Sequence, residues 1–462
     1  MGFVGAVVSF SNWLWGPPML IILVGGSLYL TIRLGFVQFR YFGFAMKETF
    51  GKIFAKQEGE GTISPFQAAT AALASTIGAS NIVGVPVAIA FGGPGAVFWM
   101  WLVALIGCGA KFAEIVLGIK YREKNADGEY VGGPMYYLTN GIKGPLGKIL
   151  GILFAFFLMI ELAPSIATQA LSAVQTASTL NIPSWGVTGL MIILVGLTVF
   201  GGITRIGKVA EKMVPVMALL YLFGALIIVI LNIGNVPHAF GLIFKHAFTP
   251  AAATGGFGGA MVAQAIRWGT ARGSYSNEAG MGTAPIAHSG AITDHPVRQA
   301  MWGIFEIVVD TLIVCTMTAL VVLSSGLWET VPSDQAATIP SLAFQQLMGE
   351  GLGGLIVTIS IFLFVLSTVI VVTYYGKTQA EFLFGRTFGK IMVVVYLISI
   401  FMGAYGGLEA TYQFLDIMLA TIIIPNMIGL IIMSGQVKEL KDEFFSDPKF
   451  YNRKDVKEKA VE

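Results

Sequence analysis

The sequence predicts an all-α polytopic membrane protein, and three observations predict it. Hydrophobic residues make up 55% of the chain and charged residues 12%, far less charge than a soluble domain carries. The apolar residues gather into runs of bilayer length rather than alternating along strands. The basic residues fall almost wholly in every second connection between those runs, the pattern that orients a multi-pass chain.

Taken in order, the apolar runs give eleven candidate spans, at 13–35, 64–91, 95–120, 148–179, 185–204, 212–232, 251–272, 298–324, 352–384, 390–410 and 413–434. An odd number places the termini on opposite sides. With the N-terminus outside, 26 of the 28 Lys and Arg residues collect at the inner loops and span ends, including Arg267 and Arg272 at the inner end of the seventh span; Lys245 lies outside and Lys111 within a span. The C-terminus is then cytoplasmic. No Lys or Arg precedes the first apolar run, so Gly2 to Phe10 does not read as a cleavable signal and the first span is retained. Cys108 and Cys315 both fall within spans, and no disulfide is predicted.

Between the spans, Val37 to Phe54 mixes basic and aromatic residues at helical spacing, which reads as an anchor along the inner membrane face or as a gating element. The loop from Glu123 to Gly147 holds GGPMYYLTNGI and is expected to form a structured cytoplasmic hairpin. Residues 1–437 form one transmembrane domain, and 438–462 a charged cytoplasmic tail, mobile from Glu439.

The second span is the unusual one. From Phe66 to Phe91 an unbroken helix would rise roughly 39 Å, against roughly 30 Å of hydrocarbon to cross. Its middle reads Gly78, Ala79, Ser80, Asn81, with Gly84 and Pro86 just beyond, where backbone freedom and a missing N–H favour a break. Unpaired backbone at that depth survives only inside protein or beside a polar cavity. Two half-helices meeting there would offer N–H groups to an anion and carbonyls to a cation. The bland reading is a kinked packing helix, since Gly and Ala also permit close helix contacts.

A second glycine-rich, interrupted segment occupies Ala251 to Pro285. Counting from the two breaks, spans 2–6 (about 64–232) and 7–11 (about 251–434) form two sets of five. Because five is odd, the sets enter the membrane from opposite sides, as an inverted repeat does. The matched position of the breaks favours a transporter over the kinked helix. GGFGGA follows no strand and is not a nucleotide loop.

Few polar side chains lie within spans. Lys111 and Glu114 stand three apart and are expected to pair. Glu161 in the fourth span, a lone acid at depth, is either a coupling or amine-binding group or a hydrogen-bonded structural acid. Gln169 offers donors and acceptors without net charge, which suits a zwitterion. Glu306, Asp310 and Asp416 either take part in coupling or bond neighbouring helices. Ser367 and Thr368, in an otherwise apolar helix, either bond their own helix carbonyls or join a small oxygen cage for sodium. The four histidines lie near loops, and no metal cluster, hydrolase elbow or phosphate loop exists, so neither an enzyme nor a nucleic-acid partner is expected.

The blocks WGPPMLIILVGGSLYLTIRLGFVQ, ATAALASTIGASNIVGV, FGGPGAVFWMW, GGPMYYL, SNEAGMGTAPIAH and STVIVVTYYG, in this order, resemble the alanine or glycine:cation symporters, the sodium:alanine symporter group of prokaryotes. The resemblance implies a LeuT-type fold with one span ahead of two inverted five-helix repeats. It further implies sodium-coupled uptake of small neutral amino acids across a prokaryotic cell membrane. By the same resemblance, Gly78, Ala79, Ser80 and Asn81 would hold the substrate carboxylate. Gln169, Trp268, Gly269 and Thr368 would line the pocket. The carbonyls of Ala74 and Ile77 with the hydroxyls of Ser367 and Thr368 would bind sodium. Members of the family often read GTGN where this chain reads GASN, so Ser80 adds a side chain where Gly leaves space. Glycine, alanine, serine and glutamine all stay open as substrates. Two other readings stand beside sodium symport: proton coupling through Glu161, and a channel or membrane solute receptor using the same cavity.

Overall fold

The computed structural model describes residues 9–11, 13–53, 58–178, 180–249, 258–405 and 409–451. Among these, seven helices are long and apolar enough to cross a membrane, and the bent pair Pro65–Thr76 and Ser80–Gly92 makes an eighth. Shorter apolar helices run over Pro17–Arg33 and Ser184–Val199, and a further helix over Gly258–Asn277. Their outer faces carry the exposed leucines, isoleucines and phenylalanines that lipid would cover, such as Ile193, Leu219 and Phe223.

At the centre, the Pro65–Thr76 half-helix and the Glu350–Phe384 helix meet, flanked by Pro145–Ser178 and Gly202–Leu231. Small residues let them approach: Ala68, Ala69, Ala71 and Ala72 are fully buried. Pro65–Thr76 starts on a capping box, in which the Ser64 hydroxyl accepts from Gln67 N–H and the Gln67 carboxamide accepts from Ser64 N–H. Pro65 follows at the first helical position, where its missing N–H costs nothing.

Several elements differ from the sequence reading. The loop from Glu123 to Gly147 does hold a hairpin, though not in GGPMYYLTNGI. The two-stranded pairing precedes it, Glu123–Lys124 with Tyr130–Val131, and Pro134–Gly141 is a helix whose Tyr137 and Leu138 are buried. The last helix, Glu409–Ser446, carries on past residue 439, because Phe444 finds a buried place against Phe44 and His295 and the Lys441 ammonium donates to the Leu34 carbonyl. Helix Gly258–Asn277 extends five residues beyond the seventh apolar run, which places Arg267 and Arg272 within the helix rather than at its inner end. Within 37–53 lie two short helices, Val37–Arg40 and Phe42–Thr49, in which Phe44 and Ala45 are buried, while Phe54 lies outside the described residues.

One end of the bundle is closed by backbone. Thr62 and Ile63 N–H both donate to the Gly290 carbonyl, and Ile292 N–H donates to Ile63. Arg122 then clamps the two segments, giving one guanidinium nitrogen to the carbonyls of Ser289 and Ala291 (3.1 and 2.7 Å) and another to that of Glu60 (2.6 Å).

Candidate functional site

The break in the second span is real and sharp. The half-helices Pro65–Thr76 and Ser80–Gly92 meet at 48°, with Ile77 out of helical geometry at ψ 89°. The second half opens as a π-helical turn over Ser80–Gly84, a widened geometry frequent at functional positions. Backbone groups freed there are met by side chains. Gly78 N–H donates to the Asn81 carboxamide oxygen at 3.0 Å, and Ala79 N–H lies 3.4 Å from the Gln169 carboxamide oxygen.

Gly78 is required by close approach. A Cβ on it would stand 2.9 Å from Thr368 Oγ1 and 3.3 Å from Gln169 Nε2. The break, the fourth span and the ninth are thereby pressed together around one backbone position. Ser367, beside Thr368, donates to the Phe364 carbonyl at 2.8 Å and lies 3.4 Å from the Ala74 carbonyl. Thr368 also donates to Phe364, at 2.9 Å. Both hydroxyls therefore bond their own helix, as the bland reading expects, and keep lone pairs free. Two oxygens that each sit about 2.4 Å from a hard cation stand about 3.4 Å apart, so Ala74 and Ser367 fit such a donor set.

Two cavities flank the break. The larger, about 380 Å³, is lined by Ala79, Ser80 and Gln169 at its floor and by Trp268 and Arg272 on its wall, and reaches Trp15 and Ala337 at the end of the bundle away from the Arg122 clamp. The smaller, about 30 Å³, lies beneath and is lined by Ser80, Gln169, Thr368, Glu161, Glu278 and Thr283. Trp268 stacks on Phe91 at 5.0 Å.

The remaining expected site residues fall elsewhere. Gly269 does not line the cavity: a Cβ there would drive into the Ala96 carbonyl, so it is a contact glycine between helices. Asn81 is fully buried and turned away from both cavities, its Nδ2 donating to Asp310 Oδ1 at 2.6 Å and to Ser276 Oγ at 3.0 Å. Ile77 is buried at the break beside them. Lys111 and Glu114 do not pair. Lys111 meets Glu306 at 3.1 Å, and Glu306 also holds His288 at 2.5 Å, while Glu114 accepts from Asn426 and from Gly282 N–H. Side chains three apart lie near one another along the axis, yet each here faces a different helix. The Asp416 side chain and residues 255–257 of GGFGGA lie outside the described residues and side chains.

Some site residues escaped the sequence reading. Glu278 is the clearest: it has positive φ of 54° in the connection after Asn277, and its carboxylate accepts from Thr283 at 2.5 Å and Ser75 at 3.3 Å. This is the second break, between helices Gly258–Asn277 and Ala284–His288. Its signal was present in SNEAGMGTAP, where three chain-breaking features cluster around an acid.

A broken helix with cavities of unequal size on its two sides, closed by backbone at one end, defines a secondary transporter rather than an enzyme. The chain belongs to the sodium:alanine symporter family, whose model matches residues 2–459. It is 52% identical over 443 residues to the transporter YflA of Bacillus subtilis (strain 168), covering 96% of this chain and 93% of that one. It is 41% identical over 444 residues to the sodium/alanine symporter AgcS of Methanococcus maripaludis, covering 95% of this chain and 96% of the relative. In fold it is similar to MhsT, solved in complex with L-phenylalanine, at a TM-score of 0.61 and 12% identity over 81% of this chain and 89% of that one. The expected LeuT-type architecture thus agrees with this likeness, and the chain is a multi-pass amino-acid transporter.

Proposed function

We propose that this chain imports small neutral amino acids, alanine or glycine first among them, with sodium as the co-transported ion. Supporting this is the contact of Gly78 with Thr368 and Gln169, next to the approach of Ser367 to the Ala74 carbonyl. One backbone break thereby links an oxygen set for a cation to amides for a carboxylate. Ordering of either partner there favours the other, so the two affinities rise together.

In this reading the Ala79 amide leaves the Gln169 oxygen to receive the substrate carboxylate, with Ser80 beside it. Sodium is held by the Ala74 and Ile77 carbonyls and the hydroxyls of Ser367 and Thr368. The large cavity, with the N-terminal side, faces outward, and the end clamped by Arg122 faces the cytoplasm of a prokaryotic cell. The eleven spans, arranged as one span and two inverted sets of five across residues 1–437, would then alternate access around the break. Asn81 acts as a positioning residue, since it contacts Asp310 rather than either cavity.

The test is uptake of labelled alanine and glycine into proteoliposomes under an inward sodium gradient, against an equal potassium gradient. Accumulation with sodium alone is expected; equal accumulation under both gradients would overturn sodium coupling. One observation favours a second reading: Glu161 and Glu278 face the same small polar cavity. If a proton is the driving ion, uptake follows an imposed pH gradient and is lost in Glu161→Gln.

A further inference from the structure

The large cavity carries positive charge that transport at the break does not use. Arg267 and Arg272 both line it, and among the described residues no carboxylate does. Arg272 is the more telling of the two. Its guanidinium lies 5.3 Å from the Trp268 ring, its stem passes within 3.9 Å of the Cβ position of Gly84, and its Nε is buried without a hydrogen-bond partner. An arginine beside an aromatic ring, with an N–H that no protein group takes, has donors to offer one planar anion.

We infer that Arg272 and Trp268 form a carboxylate-docking subsite in the outer cavity, occupied by the α-carboxylate of the entering amino acid before it reaches the break. This rests on the amino-acid reading proposed above. Ser80 and Gln169 line both cavities, so a solute held at Arg272 has a continuous polar path to the Ala79 amide. The acids Glu161 and Glu278 lie only in the deeper cavity, which leaves the amino group to lead and the carboxylate to trail at Arg272.

The experiment uses the full chain in two formats. In proteoliposomes, alanine uptake is measured with propionate, which has the carboxylate and no amino group, as competitor, for wild type, Arg272→Lys and Arg272→Gln. The expected result is competition in wild type, weaker competition in Arg272→Lys, and none in Arg272→Gln, whose KM for alanine rises about tenfold while the maximal rate is kept. Equal competition by propionate in all three, or an unchanged KM in Arg272→Gln, overturns the subsite. If chloride removal shifts KM in wild type only and propionate never competes, the site belongs to inorganic anions and the carboxylate assignment falls. In detergent without sodium, propionate binding is followed by titration calorimetry. Arg272-dependent binding there, in a protein that accumulates no amino acid, would locate the failure in the transport reading and not in the subsite. Absence of that binding overturns the subsite itself.

Discussion

Asn81 and Asp310, 229 positions apart, meet at 2.6 Å in the fully buried space behind the break. The carboxamide of Asn81 uses its oxygen on Gly78 N–H and its nitrogen on Asp310, so a single side chain ties the broken backbone to the π-helical segment Val308–Cys315. Ser276 and Thr311 supply the other hydrogen bonds to Asp310, at 2.8 and 2.7 Å.

Asp310→Ala should therefore unfasten the break without emptying either cavity. Alanine uptake is expected to fall at least tenfold, with the protein still monodisperse by gel filtration. Unchanged uptake would show that the break holds its shape without Asp310.

Two glycines near the site should respond differently. Gly78→Ala pushes a methyl against Thr368 and Gln169, which belong to the binding surface, so transport is lost while the thermal midpoint hardly moves. Gly269→Ala pushes into the Ala96 backbone, which has no freedom to yield, and should cost roughly 1–3 kcal/mol of stability. Uptake and thermal unfolding on the same two variants separate the cases. A stable, inactive Gly269→Ala would reverse this assignment.

Lys111 is buried with Glu306, which also carries His288. Removing one partner strands a charge, so Lys111→Met should destabilise by about 3–5 kcal/mol. The double variant Lys111→Met, Glu306→Gln removes both charges and should recover a large part of that loss. Thermal unfolding of the two variants, with no recovery in the double, would count against a paired charge.

The Arg122 clamp predicts a coupling defect. Arg122→Ala frees three carbonyls on two segments and should open the clamped end while the large cavity is still accessible. The measured sign is leak: a lower accumulation ratio of alanine and faster labelling of a cysteine placed at Ile63. Glu60, at the edge of this clamp, is fully exposed and bonded by the Tyr130 hydroxyl, which with Lys124 holds its carboxyl below the usual range. A lowered carboxyl contributes stability above its ordinary value and loses it only as pH falls through the lowered one. Clamp opening should accordingly be flat with pH from about 5 to 8, and a transition in that window would point to another group.

Membrane class and the break at Gly78 to Asn81 were legible in the chain, because each depends on local composition: apolar length, small residues and helix breakers act within one span. So were Ser367, Thr368 and Gln169, polar residues rare enough in apolar helices to stand out. Partner choice was not. Lys111 passes over Glu114 for Glu306, Asn81 turns to Asp310, and Gly269 serves a helix contact, because a side chain's direction is settled by which helix packs on that face. The end of the helix carrying Arg272 was also hidden, since the apolar run ends at Arg272 whereas the backbone continues to Asn277 wherever protein or a cavity surrounds it. Composition by itself determined that this chain crosses a membrane and breaks in the middle of its second span; only the tertiary structure decided which side chains meet at that break, since residues hundreds of positions apart come together through packing that no single segment encodes.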